Sequence, residues 1–463
     1  MIRALPTSDF AALVRRARGS LLVQRLVSGS AWVLVGSVSL RVLNLITFVI
    51  LARTLGDAGL GRFAMVQSTV ALFIPISTGS VNWALAKYVA QYRQADPERT
   101  AALVVAGLLV CVSCAALLAC VGLLGSGPLS SLLFGSREMS ALVQIASLAL
   151  VGSSLNAVLE SVLNGFERFA AGAAVKFLRG LSALFLITAG SRMGGHTGAL
   201  FGLVGAEFVM VAAYIVALWT ARGRHARRPH LHVVRAIAQY GGLLLAFSGP
   251  LLVGWLAVSP AFWLSKRLLA GMPQGYAAVG VFGAAEKWYQ MALFVPSSLS
   301  LFALPALSNT LASRGSVAHR RLFILTSSLS IGVAAAIAAV VWVLSGAVTS
   351  ILGSGFAGAQ TTLKILLVTS LGAAANTTFG HYFVSKGQVT VRMACDVLLG
   401  LLVVACSLLL VPLYRENGVA LTQLASYSCT AVVLGVGIWL DIARGGSEAS
   451  ARRGAAPRPA RRT

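Results

Sequence analysis

A few charged and polar side chains stand inside long apolar runs, where an ionised group is costly enough to mark function. Arg41 interrupts the run Gly36-Ser-Val-Ser-Leu-Arg-Val-Leu-Asn-Leu, about three helical turns before Arg53. A guanidinium keeps its charge and presents donors in a fixed fork, which suits a phosphate bidentately. The structural alternative is a pair with a buried carboxylate such as Glu207 or Asp396. Glu286 and Lys287 are adjacent. On a helix they point about 100° apart, so one lines an internal surface while the other pairs elsewhere. Trp288 and Tyr289 follow, aromatic faces on which a ring stacks or another helix packs. Asp396 and Glu207 read as isolated carboxylates able to hold a proton or a sodium ion. Asn156, Glu160 and Asn164 recur every four residues and make one polar stripe, either glue between helices or the lining of a cavity. Pro75 and Pro296 each sit inside an apolar run, where proline removes a hydrogen bond and bends a helix.

The elements that position these residues are set by composition. Of 463 residues, 57% are hydrophobic and 11% charged, against about 25% charged in soluble domains. The chain therefore reads as an all-α polytopic membrane protein. The 37 Lys and Arg against 13 Asp and Glu raise the question of nucleic acid, but these charges sit in short loops between apolar runs. Twelve runs of spanning length fall at about 29–52, 63–84, 101–124, 141–163, 169–190, 198–220, 239–263, 277–304, 322–345, 361–384, 393–413 and 418–440. They are continuous rather than alternating, so they are helices and not barrel strands. The two ends and the even-numbered loops hold 27 Lys and Arg, the odd-numbered loops 8, which places both termini in the cytoplasm.

Residues 1–28 read as a basic cytoplasmic segment, either lying on the membrane surface or a loose tail, rather than a cleaved leader. A six-helix lobe then spans 29–220, a basic linker 221–238, a second six-helix lobe 239–441, and a basic disordered tail 442–463. The linker carries His225, His230 and His232 among five arginines, which repel a metal and suit anionic lipid. Cys111, Cys114, Cys120, Cys395, Cys406 and Cys429 lie in apolar runs and suggest neither a metal site nor a disulfide framework. The halves echo each other: Gly61 with Gly280, Pro75 with Pro296, and Gly165 with Gly387 lie 219, 221 and 222 positions apart. Six spans per copy is an even number, so the repeat is parallel, about an axis along the membrane normal.

The stretch from Gly36 through Leu-Ala-Arg-Thr-Leu-Gly (51–56) to Gly61-Arg-Phe, together with Asn164-Gly-Phe-Glu-Arg-Phe entering span five, resembles bacterial polysaccharide flippases. These are the Wzx-type members of the multidrug/oligosaccharidyl-lipid/polysaccharide (MOP) exporter superfamily. The resemblance, with the topology, covers nearly the whole chain. It implies transfer of an undecaprenyl-pyrophosphate-linked sugar or oligosaccharide from the cytoplasmic to the periplasmic leaflet of the inner membrane, with polymerase and assembly proteins as candidate partners. On that basis Arg41, Lys287, Arg53 and Trp288 are candidate contacts for pyrophosphate and sugar. Glu286, Asp396 and Glu207 are candidate coupling groups, Asn156, Glu160 and Asn164 line the cavity or bind helices, and Pro75 and Pro296 are bending points. No cofactor is expected, and no Gly-x-x-x-x-Gly-Lys-Ser/Thr loop occurs that would serve an ATP-driven pump. A multidrug or cation antiporter of the same superfamily is the first rival; the central Arg41 disfavours cations. A membrane polysaccharide polymerase is the second. Its catalytic side chains would need a sizeable outer loop, and the longest here, 346–360, has no Asp, Glu or His.

Overall fold

The computed structural model describes residues 21–221 and 233–454. The expectations for the N-terminal segment before residue 21, for the loop holding His225, His230 and His232, and for the end of the tail lie outside the described residues. Every regular element among the described residues is helical. The chain runs through α1 (Leu21–Ser77), α2 (Val81–Tyr92), α3 (Pro97–Leu124), a short α4 (Ser126–Phe134), α5 (Ser140–Gly165) and α6 (Phe169–Ala221). It continues through α7 (Val233–Ala270), α8 (Gly275–Ala292), α9 (Phe294–Val343), a short α10 (Ser345–Ser350), α11 (Ala359–Ser385) and α12 (Val389–Gly454). Single 3-10 turns follow α4 at Arg137–Met139 and α10 at Ser354–Phe356.

Seven helical stretches among the described residues are long and apolar enough to cross a membrane. Several expected loops are only breaks inside continuous helices. The backbone turns at Gly56 in α1, Gly194 and Gly195 in α6, Gly315 in α9 and Arg415 in α12. Gly56 and Gly315 take φ of 67° and 76°, a region open to glycine at little cost. The second expected span ends early: α1 stops at Ser77, two residues past Pro75, and α2 restarts at Val81. The eighth is interrupted at Leu293, and Pro296 falls in the first turn of α9, where a missing N–H costs little. Past residue 442, α12 continues to Gly454.

The chain divides into two compact units, one ending at Val253 and the other beginning at Gly254. The division falls inside α7. In the first unit α5 is the central helix, packed by α1, α2, α3 and α6; in the second α11 has that place among α8, α9 and α12. Small residues let the helices close up: a Cβ at Gly36 would stand 2.7 Å from the backbone of Ala173. In lipid, where apolar side chains gain nothing by leaving one another, such close packing supplies the association energy. The outward faces are apolar, with Leu117, Phe185, Val216, Leu401 and Leu409 exposed.

Candidate functional site

The membrane-depth charges come together as four ion pairs, two in each unit. In the first unit Arg179 on α6 donates from Nη2 to Glu207 Oε1 at 3.1 Å. Asn156 on α5 donates from Nδ2 to Glu207 Oε2 at 2.6 Å and to the Glu207 carbonyl oxygen at 2.9 Å. Glu207 is 5% exposed, so desolvation makes both partners necessary. One helical turn away from Asn156, Glu160 Oε1 meets Lys176 Nζ at 3.0 Å. A Cβ at Gly152 would lie 2.8 Å from Glu207 Cβ, and glycine there lets the second half of α6 reach α5.

In the second unit Lys266 on α7 donates to both oxygens of Glu286 on α8, at 3.0 and 2.8 Å. Arg392 on α12 forks onto Asp396, with Nε to Oδ2 at 3.1 Å and Nη2 to Oδ1 at 2.6 Å. Its remaining nitrogen, Nη1, donates to the carbonyl and the Oδ1 of Asn376 on α11, at 3.0 and 3.2 Å. Asn376 in turn donates from Nδ2 to Thr430 Oγ1 at 2.8 Å. One arginine thus ties α11 to the first half of α12, and one asparagine ties it to the second half.

Asp396 and Glu207 are therefore not isolated. Each holds an arginine, so the two carboxylates weighed as partners for Arg41 are already engaged by Arg392 and Arg179. Glu286 pairs across helices with Lys266. Sequence reasoning missed all four basic partners because it counted Lys176, Arg179, Lys266 and Arg392 as loop charges, whereas helices α6, α7 and α12 run through them. Only Arg392 left a signal in the sequence, its i, i+4 spacing to Asp396. The polar stripe divides: Asn156 and Glu160 bind α6, and Asn164 is exposed at the end of α5. Arg41 is half-buried in α1, Arg53 exposed just before the break at Gly56, and Lys287 and Trp288 half-buried in α8. The indole Nε1 of Trp288 is buried with no hydrogen-bond partner among the described residues, a donor left over for an incoming acceptor.

This bundle of apolar helices, pinned by internal ion pairs, has the fold of MOP-superfamily transporters. A multidrug resistance MATE family transporter in its inward-facing conformation matches with a TM-score of 0.71 and 13% identity, over 92% of this chain and 100% of that one. The Lipid II flippase MurJ, inward closed, matches with a TM-score of 0.71 and 13% identity over 88% of this chain and 87% of its own. Within that class, the chain belongs to the polysaccharide biosynthesis protein family, which matches residues 26–311. The Lipid III flippase of Escherichia coli (strain K12) is 24% identical over 407 residues, 87% of this chain and 95% of the relative. The EPS I polysaccharide export inner membrane protein EpsE of Ralstonia nicotianae is 23% identical over 337 residues, 72% of this chain and 76% of the relative.

Proposed function

We propose that the chain is a multi-pass inner-membrane transporter, not an enzyme. Its cargo is an undecaprenyl-pyrophosphate-linked sugar or oligosaccharide, moved from the cytoplasmic to the periplasmic leaflet by alternating access for surface polysaccharide synthesis. The names of the two relatives, a lipid flippase and a polysaccharide export protein, support that substrate class. The observation that carries the reading over its nearest rival is the occupation of the carboxylates. An antiporter of cationic drugs needs an anionic group open to its cargo. Here the carboxylates singled out inside the apolar runs, Glu160, Glu207, Glu286 and Asp396, each already hold a lysine or arginine. An anionic head group is the better match to helices in which bases outnumber acids. Arg41, Lys287, Arg53 and Trp288 are assigned to that head group, and Glu286, Asp396 and Glu207 to ion coupling.

Twelve spans in two six-helix lobes, both termini cytoplasmic, complete the reading. Features recurring at one offset support the repeat. Glu167 and Gly387 both take left-handed backbone in the turn after the central helix, 220 positions apart. Asn156 and Asn376, also 220 apart, each bind the helix hairpin that follows. At Gly198 and Gly418, again 220 apart, a Cβ would meet a carbonyl oxygen of the preceding helix at 2.1 and 2.2 Å. The repeat therefore runs deeper than the match of Gly165 with Gly387, which is two residues out of register.

Deleting the gene and analysing lipid-linked sugars in each leaflet tests the proposal. Accumulation on the cytoplasmic face alone is expected. Normal translocation with lost drug resistance would overturn it in favour of the antiporter.

A further inference from the structure

The first unit holds a cavity of about 130 Å³ that the transport reading does not use. Thr69, Val70 and Phe73 of α1, Leu118 and Val121 of α3, Leu129, Leu133 and Phe134 of α4, and Val143 of α5 are among its lining residues. Its wall is almost wholly apolar, and a cavity of this size and chemistry excludes water and takes up hydrocarbon. The short helix α4 is fixed at its start and its middle. Gln144 donates to Ser126 Oγ at 3.3 Å, and Ser130 Oγ donates to the Arg137 carbonyl oxygen at 3.4 Å. Arg137 itself is exposed, three residues past the last lining residue of α4.

The second unit supplies an internal control. Its short helix α10 begins with the same Ser-Gly pair and is held by the same contact, Gln360 to Ser345 Oγ at 3.3 Å. It stops after six residues, and in the same register Val348 and Leu352 stand for Leu129 and Leu133 while Gly353 stands for Phe134. The longer α4 and its Phe134 are thus what the first unit adds to a shared scaffold.

We infer that this cavity holds one acyl chain of a resident bilayer phospholipid, whose phosphate is met by Arg137. The cavity is surrounded by helices whose outer faces are apolar, so its neighbouring solvent is hydrocarbon. A chain end of a few methylenes fills it, and an anionic phosphate one short turn away matches the guanidinium. The lipid then acts as a fixed part of the first unit rather than as cargo. The proposal needs only this unit and stands whichever substrate the transporter moves.

The full-length protein is reconstituted in vesicles of phosphatidylethanolamine and phosphatidylglycerol, with a trace of phosphatidylglycerol carrying a diazirine at the end of one acyl chain. After irradiation, adducts on residues 118–150 should exceed those on the exposed face around Leu401 and Leu408 by about fivefold or more. Leu133→Trp, which fills the cavity, should abolish that excess. Arg137→Gln, an exposed change that leaves folding intact, should cut it at least twofold. Adducts spread evenly over both faces, or an excess unchanged in both variants, would overturn the inference. An excess given by a photoreactive polyprenyl pyrophosphate but not by the phospholipid would overturn it in favour of a cargo subsite.

Discussion

At the scale of single residues, the four ion pairs make unequal demands on their partners. Glu207 is almost fully buried, while the side chain of Arg179 remains 35% exposed. Removing the arginine leaves a buried carboxylate whose charge only Asn156 addresses. Arg179→Met should destabilise the protein by about 3 kcal/mol, the low end for a broken buried pair because the arginine side chain is itself 35% exposed. Adding Glu207→Gln should recover most of that loss, since a neutral amide still accepts from Asn156. Thermal unfolding of the four members of this cycle in detergent measures the coupling; additive effects would mean that the pair does not act as a pair. Arg41 makes a different demand. It is half-buried on α1, within a largely aliphatic run, and the proposed transport reading assigns it to the head group. Arg41→Glu is expected to abolish surface polysaccharide while the protein still inserts at wild-type levels. Export that survives both Arg41→Glu and Arg41→Gln would remove the head-group role.

At the scale of helices, distance of approach decides which glycines matter. Gly152 and Gly172 both lie in the first unit. A Cβ at Gly152 would meet Glu207 Cβ at 2.8 Å, whereas at Gly172 its nearest neighbour is a Leu163 methyl at 3.9 Å. Gly152→Ala should therefore cost about 1–3 kcal/mol by prising α5 from α6. Gly172→Ala, where the space is already there, should be neutral or stabilise by up to about 1 kcal/mol. Melting temperatures of the two variants separate the cases, and equal shifts would argue that close approach is not what positions Glu207. The same comparison explains what was legible in the sequence. Spans were legible because hydropathy acts over some twenty residues. The carboxylates, Arg41 and the Asn156–Glu160 stripe were legible because charge and polarity stand out against Leu, Val and Ala. Helix ends were not, since a break such as Gly56 or Arg415 needs one residue and leaves flanking helix unchanged. Lys266 and Arg392, just outside the seventh and eleventh runs, consequently read as loop charges; Lys176 and Arg179, inside the fifth, were counted with the loop before it, and the ion pairs all four form went unseen. The short helices α4 and α10 were missed for a related reason: each follows the preceding helix with a single residue between.

At the scale of the whole molecule, net movement of a lipid-linked sugar needs an energy source, either an ion gradient or downstream consumption of product. The placement of Glu286 makes an ion-coupled cycle specific. Its carboxylate is held by Lys266 on the preceding helix, with Lys287 next to it in sequence. A pyrophosphate arriving at Lys287 and drawing Lys266 towards itself would strip Glu286 of its cation. A buried carboxylate stripped of its cation needs a replacement, and a proton or a sodium ion from the same side would take the place of Lys266. When the head group leaves on the far side, Lys266 returns to Glu286 and displaces the bound ion there. The ion then travels with each substrate, and the sign follows: an outward-directed ion gradient should speed transport and an inward-directed one should slow it. In proteoliposomes, wild-type transport should respond to an imposed pH or sodium gradient, and Glu286→Gln should transport at a rate indifferent to either. Lys266→Met should separate this from simple damage, because without Lys266 to displace the ion Glu286 cannot cycle, so the response would also be lost while the protein still binds substrate. If imposed gradients never alter the wild-type rate, none of the carboxylates Glu286, Asp396 and Glu207 couples ions, and consumption of the product on the far side is the driving force.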